Sequence, residues 1–368
     1  MIYLDANATA PLHPAARAAI LAALDEGPAN ASSIHAAGQR ARARLDGARE
    51  QCAAALGCTP RELIFTSGGT ESDALAIRGA QPGRVVITAV EHPAVIGACK
   101  QSGAPVVRVG VDGNGRLDLD ALDAALPGAG LCSAMLANNE TGVIFPVEEI
   151  ALRCRARGVP LHVDAVQAVG KLPVRLSELG ADYVAVSGHK LGGPHGIGLL
   201  YVRRGARLTP LQIGGHQEEG RRAGTENLAG AVGLATALRA AAAELPETAQ
   251  RTAALRDRLE AAVRAVPGAR VHGQGSPRLP NTICATFDGC ESEALLAALD
   301  LEGICASGGS ACSSGTLEPS PVLLAMGVEP SRARGALRFS LWSGNTEAEI
   351  DRTAALLTGI VARVSCRG

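Results

Sequence analysis

The chain has 368 residues, 47% of them apolar, which is enough for about two domains with buried cores and excludes a disordered tail protein. Its 35 basic and 36 acidic residues leave a net charge of -1, so no strongly basic nucleic-acid-binding surface is indicated. Four Phe, three Tyr and one Trp are too few for a base-stacking platform.

The first half of the chain predicts helices that alternate with short buried strands. Apolar residues at helical spacing predict helices over 14–24 and 38–56. Alternation of this kind is typical of an α/β fold with a mostly parallel sheet covered on both faces. The predicted strands are Leu63–Thr66, Val85–Thr88, Val106–Val109, Leu131–Ala137, Leu161–Val163, Tyr183–Val186 and Leu199–Val202.

The second half changes character near residue 225. An Ala-, Leu- and Arg-rich helix is predicted from about Thr225 to Val266, interrupted at Pro246. An α+β region follows, with strands at 282–287 and 337–341 and a helix at 292–301. We therefore place a domain boundary near Pro246.

Targeting and metal signals are not found. The sequence has no run of about 18 apolar residues and no charged segment leading into an apolar one at its N-terminus, so we expect no membrane span and a cytoplasmic protein. Ten cysteines occur without C-x-x-C or zinc-finger spacing, which predicts small buried hydrophobes and no metal site. Phosphate-loop and dinucleotide-binding motifs are absent, so an ATP or nicotinamide enzyme is disfavoured.

A turn of small residues, TSGGTES at 66–72, lies between a predicted strand and a helix-forming run. Backbone N–H groups at such a helix N-terminus can approach an anion, and the Thr70 hydroxyl can add a hydrogen bond. The alternative is an ordinary strand-to-helix turn with a Ser or Thr cap.

Two charged residues follow predicted buried strands. Asp164 stands at the end of one strand, where open α/β sheets place ligand groups, although it could instead cap a helix. Lys190 stands between another strand and a glycine-rich loop, a position suited to a Schiff base with a carbonyl cofactor. An exposed lysine is the alternative for Lys190, but the chain has only three lysines, Lys100, Lys171 and Lys190.

These pieces are complementary. Pyridoxal 5′-phosphate needs a lysine for its aldehyde, an acid for its ring nitrogen and a cup for its phosphate. Lys190, Asp164 and the turn at Gly69 and Thr70 supply these parts.

A set of short motifs then makes the resemblance specific. The chain resembles cysteine desulfurases of the NifS/IscS type, within the class V aminotransferase family, almost from end to end. The motifs, in the order of that family, are YLDANATAP at 3–11, FTSGGTES at 65–72, EH at 91–92, NNETG at 138–142, HVDA at 162–165, SGHK at 187–190, RAGT at 222–225, SAC at 310–312 and RFSL at 338–341.

The resemblance implies the fold and the partners. It implies the pyridoxal-phosphate fold type I, with a large domain at 15–245 and a small α+β domain made of 1–14 and 246–368. It also implies a homodimer that acts on L-cysteine and passes sulfur to an acceptor such as an iron–sulfur scaffold. Nitrogenase maturation, general cluster assembly and tRNA thiolation all stay open as pathways.

The resemblance also implies a role for each site residue. Lys190 holds the cofactor and moves the substrate proton, Cys312 is the nucleophile that becomes a persulfide, and His92 stacks on the ring. Asn139 and Arg338 bind the substrate carboxylate, because the Arg fork matches two oxygens. The remaining implied cofactor contacts are Gly69, Thr70, Asp164, Gln167, Ser187, His189 and, from the second subunit, Thr225.

Alternatives and departures remain. A selenocysteine lyase or a cysteine sulfinate desulfinase of the same family is the nearest alternative, and a catalytically silent scaffold is a more distant one. The polar turn before Thr225 could also be a plain helix N-cap at Thr225 or Glu226. Trp342, Ala223 and Gly308 depart from the common family pattern, and we expect Trp342 to narrow the entrance beside the carboxylate site. His35 is an open candidate for the substrate mouth.

Overall fold

The computed structural model describes residues 1–308 and 318–365. The predicted strands are confirmed to within two residues at their ends. The strands are β1 (Ile2–Tyr3), β2 (Leu63–Thr66), β3 (Val85–Thr88), β4 (Val106–Val109), β5 (Leu131–Met135), β6 (Leu161–Asp164), β7 (Tyr183–Ser187), β8 (Gly198–Val202), β9 (Ala269–His272), β10 (Thr282–Phe287), β11 (Ile304–Cys305) and β12 (Ala336–Ser340).

The helices frame these strands, and several begin at a side-chain cap. His13 Nδ1 accepts a hydrogen bond from the N–H of Ala15 where the first helix begins. The helices are α1 (Pro14–Asp25), α2 (Ala36–Leu56), α3 (Gly69–Gly79), α4 (Pro93–Ser102), α5 (Leu119–Ala125), α6 (Val147–Ala156), α7 (Leu228–Ala265), α8 (Ser292–Leu301), α9 (Pro321–Ala325), α10 (Pro330–Ala333) and α11 (Glu347–Ser365).

A seven-stranded sheet in the order β2-β8-β7-β6-β5-β3-β4 forms the centre of the molecule. β8 runs antiparallel to both of its neighbours, and the other pairings are parallel. Apolar side chains cover both faces, as Phe65 and Ile64, adjacent on β2, belong to different buried clusters. The expected α/β fold with a mostly parallel, doubly covered sheet is confirmed.

A second core lies around the antiparallel sheet β12-β10-β9. Residues from the N-terminus, such as Ile2 and Leu4, pack there with Phe287, Phe339 and Leu357. β1 pairs with β11, which ties the first residues of the chain to this region. The division of the chain into 15–245 against 1–14 with 246–368 stays a prediction.

Helix α7 corrects one expectation. It continues through Pro246 without a break, from Leu228 to Ala265. Its first half packs against α1 and α2 and its second half against α11, so packing on both sides of the exposed proline outweighs the hydrogen bond that proline removes. Within the described residues, α7 alone has the length and apolarity to cross a membrane, but it is a core helix of this fold.

The sheet also positions the site. Because β3, β5, β6 and β7 are parallel, their carboxyl ends meet at one edge. β2 runs in the same direction as β7, since both are antiparallel to β8, and its end leads into α3 at that edge.

Candidate active site

A cavity of about 460 Å³ opens at this edge of the sheet. Of the sequence-predicted residues, Thr225 does not line the cavity, and Cys312 lies outside the described residues. The predicted residues that line it are Gly69, Thr70, His92, Asn139, Asp164, Gln167, Ser187, His189, Lys190 and Arg338.

Lys190 follows β7 in a short turn, and its amine points into the N-terminal segment of the chain. Its Nζ donates to the carbonyl oxygens of Asn7 at 2.6 Å and Ala8 at 2.8 Å. Burial, followed by the neighbouring Arg338 cation, lowers the pKa of Lys190 to about 8. Lys190 is therefore not an ordinary exposed lysine, and a substantial fraction of its amine is neutral near pH 8.

Asp164 is the last residue of β6 and is 7% exposed. Its Oδ1 accepts the N–H of Val166 at 2.9 Å, but no α-helix begins there, so the helix-cap alternative is wrong. Two further acids are buried beside it. Burial and then Asp164 raise the pKa of Asp73, and burial raises the pKa of Glu91 to about 8. Glu91 therefore keeps its proton at neutral pH, and burial favours the neutral form of Asp73.

His162 supports this acidic group from within the sheet. Its Nδ1 lies 2.8 Å from the Ser133 hydroxyl and its Nε2 lies 3.4 Å from Asp73 Oδ1. Burial lowers the pKa of His162 to about 4, so its imidazole is neutral. Glu91 lies in the EH motif and His162 in the HVDA motif, but no pattern in the sequence indicated a role for either residue.

His92 caps α4, and this contact sets its tautomer. Its Nδ1 accepts the N–H of Ala94 at 3.1 Å. Burial lowers the pKa of His92, an effect that nearby Asp164 opposes and Lys190 reinforces. A neutral ring whose Nδ1 accepts must carry its proton on Nε2.

The turn before α3 is shaped for an anion. The helix begins after Gly68, whose φ of 154° favours glycine and whose position provides no side-chain cap. A Cβ added at Gly69 would lie 2.7 Å from Val166 Cγ2, so only glycine fits there. The alternative of a Ser or Thr cap is wrong, and the uncapped N-terminus of α3 faces the same cavity as Ser187 and His189.

Arg338 lies on β12 and lines the same cavity. It is 4% exposed, and its Nη2 donates to Asp5 Oδ1 at 2.7 Å while its Nη1 donates to the Asn139 carbonyl at 3.1 Å. Its Nε is buried without a hydrogen-bond partner among the described residues. Arg338 itself lines the cavity, and a guanidinium group that is not fully hydrogen-bonded is suited to an incoming carboxylate.

Asn7 contacts several of these residues, although no local pattern distinguished it from the rest of its motif. Its carbonyl accepts from Lys190 and also from Gln167 Nε2 at 2.9 Å. Its side chain reaches the second core, where Nδ2 donates to Thr282 Oγ1 at 2.9 Å. The cavity is thus bounded by the first residues of the chain as well as by both cores.

Thr225 is exposed. It lies on a loop that an ion pair joins to the first turn of α3. Arg222 donates from Nε and Nη2 to the Glu71 carboxylate at 2.8 and 3.1 Å. The N-cap alternative for Thr225 or Glu226 is wrong, because Asn227 caps α7 through the N–H of Gly230.

Other expectations are met in part. Six described cysteines are buried as predicted, and Cys58 and Cys305 are partly exposed. His35 does not line the cavity and instead caps α2 through the N–H of Gly38. Trp342 does not line this cavity either, so the expectation that it narrows the carboxylate end is wrong; it lines a neighbouring cavity of about 250 Å³.

The comparisons with known proteins agree with this fold. A model of the class-V aminotransferase family matches residues 2–353. A protein of Trichormus azollae named cysteine desulfurase is 48% identical, over 99% of this chain and 94% of its own length. The chain therefore belongs to the class V aminotransferase family, and its resemblance to cysteine desulfurases is confirmed.

Solved structures give the same result. One described as a NifS-like protein has a TM-score of 0.92 at 35% identity and covers 98% of this chain and 99% of its own. Another, described as SspA in complex with cysteine, has a TM-score of 0.82 at 29% identity and covers 94% of this chain and all of its own. This family is pyridoxal-phosphate-dependent, and the glycine-only cradle and the unpartnered Arg338 Nε fit the phosphate of that cofactor and the carboxylate of an amino acid.

Proposed function

We propose that this protein is a pyridoxal-phosphate-dependent L-cysteine desulfurase that forms alanine and a persulfide on Cys312. The observation that carries the proposal is the cavity that brings Lys190, Asp164 and Arg338 to one edge of the sheet. The desulfurase names of the similar proteins support the choice of cysteine as substrate.

The cofactor would be held by residues that line the cavity. Gly69, Thr70, Ser187 and His189 would hold its phosphate, Asp164 its ring nitrogen and Lys190 its aldehyde carbon. Without the cofactor, burial and the Lys190 cation lower the pKa of His189 to about 4. A phosphate group beside the ring would oppose this effect, because a negative charge favours the protonated imidazole. When bound, the cofactor supplies a sink for the electron pair released at the substrate α-carbon.

Proton transfer at the α-carbon is assigned to Lys190. A base must be neutral to accept a proton, and the pKa of about 8 leaves part of the Lys190 amine neutral near physiological pH. Arg338 contributes twice, since its charge lowers the Lys190 pKa and its guanidinium binds the substrate carboxylate beside Asn139.

Sulfur transfer is assigned to Cys312. The substrate C–S bond breaks, an S–S bond forms on Cys312, and the carbon that loses sulfur gains hydrogen, so no external oxidant or reductant is needed. The chain on either side of 309–317 is fixed at the cavity: Ser307 pairs with Arg338 through two backbone hydrogen bonds, and Ser320 donates to the buried Glu140. The described residues on both sides of the Cys312 segment thus lie at the cavity that Arg338 lines, which supports this assignment.

The enzyme would act as a homodimer in which Thr225 of one subunit completes the phosphate site of the other, and it would pass its sulfur to an acceptor such as an iron–sulfur scaffold. The exposure of Thr225 supports this arrangement. A mixture of Thr225→Asp and Lys190→Ala proteins that exchange subunits should regain activity if Thr225 acts in the partner's site. No recovery despite demonstrated exchange would refute it.

Incubation with L-cysteine tests the reaction. We expect alanine release and one added sulfur atom on the peptide that carries Cys312. Cys312→Ala should still change the spectrum of the bound cofactor on adding cysteine, but it should form no persulfide. Cys305→Ala is the matched control, because Cys305 is a partly exposed thiol on β11, shortly before that segment, and it should behave as wild type. Wild-type alanine release by Cys312→Ala would contradict the proposal.

A further inference from the structure

Lys171 is a second lysine beside the cavity, and the reaction outlined above leaves it without a task. Its Nζ lies 2.6 Å from Gln167 Oε1 and 3.1 Å from Asn7 Oδ1. It does not line the catalytic cavity, so it is not placed to bind the cofactor in place of Lys190.

A buried amine of this kind is costly. Burial, followed by the nearby Lys190 and Arg338 cations, lowers the pKa of Lys171 well below its usual range. An apolar side chain of the same length would avoid that cost. The two hydrogen bonds that Lys171 makes therefore indicate a specific role for its amine.

Those hydrogen bonds fix which way the Gln167 amide faces. Lys171 donates to Oε1 on one side, and on the other side Nε2 donates to the Asn7 carbonyl, which can only accept. Both contacts require the same orientation, and the second N–H of Nε2 is left for the cavity that Gln167 lines. Without Lys171, Oε1 would lose its donor and the amide could rotate about its last torsion.

We infer that Lys171 is a positioning residue that holds the Gln167 amide with its N–H group toward the phenolate oxygen of the cofactor. The inference rests on the proposed function, since it concerns the same cofactor. It assigns to Lys171 a task that acts through Gln167 rather than through contact with cofactor or substrate.

The absorbance of the cofactor bound to Lys190, titrated with pH in the absence of substrate, tests this. In the bound cofactor one proton is shared between the phenolate oxygen and the Lys190 nitrogen. A hydrogen bond from Gln167 stabilises the phenolate oxygen once that proton has left. Loss of this donor therefore raises the pH at which the chromophore deprotonates. We expect Lys171→Met and Gln167→Ala each to raise this midpoint by about half to one pH unit. Lys171→Arg, which keeps donors and charge, should stay close to wild type.

The double variant separates positioning from a simple charge effect. If Lys171 acts through Gln167, Lys171→Met should shift the midpoint little further in the Gln167→Ala background. An equal shift in both backgrounds, or no shift in either, would overturn the inference. If Lys171→Met does not fold, as judged by thermal melting, Lys171→Leu, which also lacks a donor, takes its place in the same cycle.

The proposed function is tested separately, by identifying the lysine to which the cofactor is attached. Borohydride reduction and peptide mapping of the wild type should find the cofactor on Lys190. Attachment to Lys171 or no attachment would overturn both proposals, whereas attachment to Lys190 with an unshifted midpoint would overturn only the role of Lys171.

Discussion

Two cavities meet at Lys190, and they differ in what lines them. The catalytic cavity is lined by acids, by His92 and His189 and by the Arg338 cation. The neighbouring cavity lies between α7, the first turn of α1 and the end of β12, and most of its lining is apolar, including Leu12, Leu245 and Trp342. Converging polar groups with shifted pKa values, rather than the presence of a cavity, mark where chemistry takes place.

The largest expected effect comes from the residue that the two cavities share. Lys190→Ala should reduce alanine formation by roughly 10⁴-fold or more, because it removes both the attachment point of the cofactor and the base. Some cofactor should still bind through the phosphate cradle, which absorbance of the dialysed protein would show. Turnover within tenfold of wild type would mean that another amine does this work.

The next effect distinguishes two buried acids in the catalytic cavity. Asp164→Asn should lower turnover on the order of 100-fold or more, because the ring nitrogen loses a charged partner. Asp73→Asn is the matched control: burial favours the neutral form of Asp73, so a neutral amide of the same shape should cost less than about tenfold. Equal losses in the two variants, measured as alanine formation under saturating cofactor, would contradict the distinction.

A smaller effect concerns pH. In the cofactor-free protein, labelling of Lys190 by an amine-specific reagent should reach half its maximal rate near pH 8. Since the Arg338 cation lowers the Lys190 pKa, Arg338→Leu should move this midpoint to higher pH and Arg338→Lys should not. Peptide mapping at each pH gives the labelling rate of Lys190 alone. A shift of the midpoint to lower pH in Arg338→Leu would contradict the effect assigned to the Arg338 cation.

The smallest effect is expected in the apolar cavity. Trp342→Ala removes apolar contacts and should lower the free energy of unfolding by about 1–2 kcal/mol. Turnover should change less than about threefold, since Trp342 lines no part of the catalytic cavity. Denaturant unfolding and steady-state rates on the same preparation would check both. A tenfold loss of turnover at unchanged stability would show that the two cavities are functionally linked.

Local sequence patterns were enough to predict the strands and several residues that line one cavity. Apolar runs bounded by turns, such as Leu63–Thr66 and Thr282–Phe287, formed strands at the predicted residues, because burial on both faces leaves such runs no other stable environment. The order of the short motifs also identified the family, and Lys190, Asp164 and Arg338 do line one cavity.

Only the tertiary structure decided which distant groups meet. Asn7 contacts Gln167, Lys190 and Thr282, and no local pattern encodes contacts between residues so far apart in the chain. Pro246 predicted a helix break that packing on both sides of α7 prevents. The pairing of Lys171 with Gln167 depends on the turn after β6, so the sequence showed a scarce lysine but not the amide that it holds.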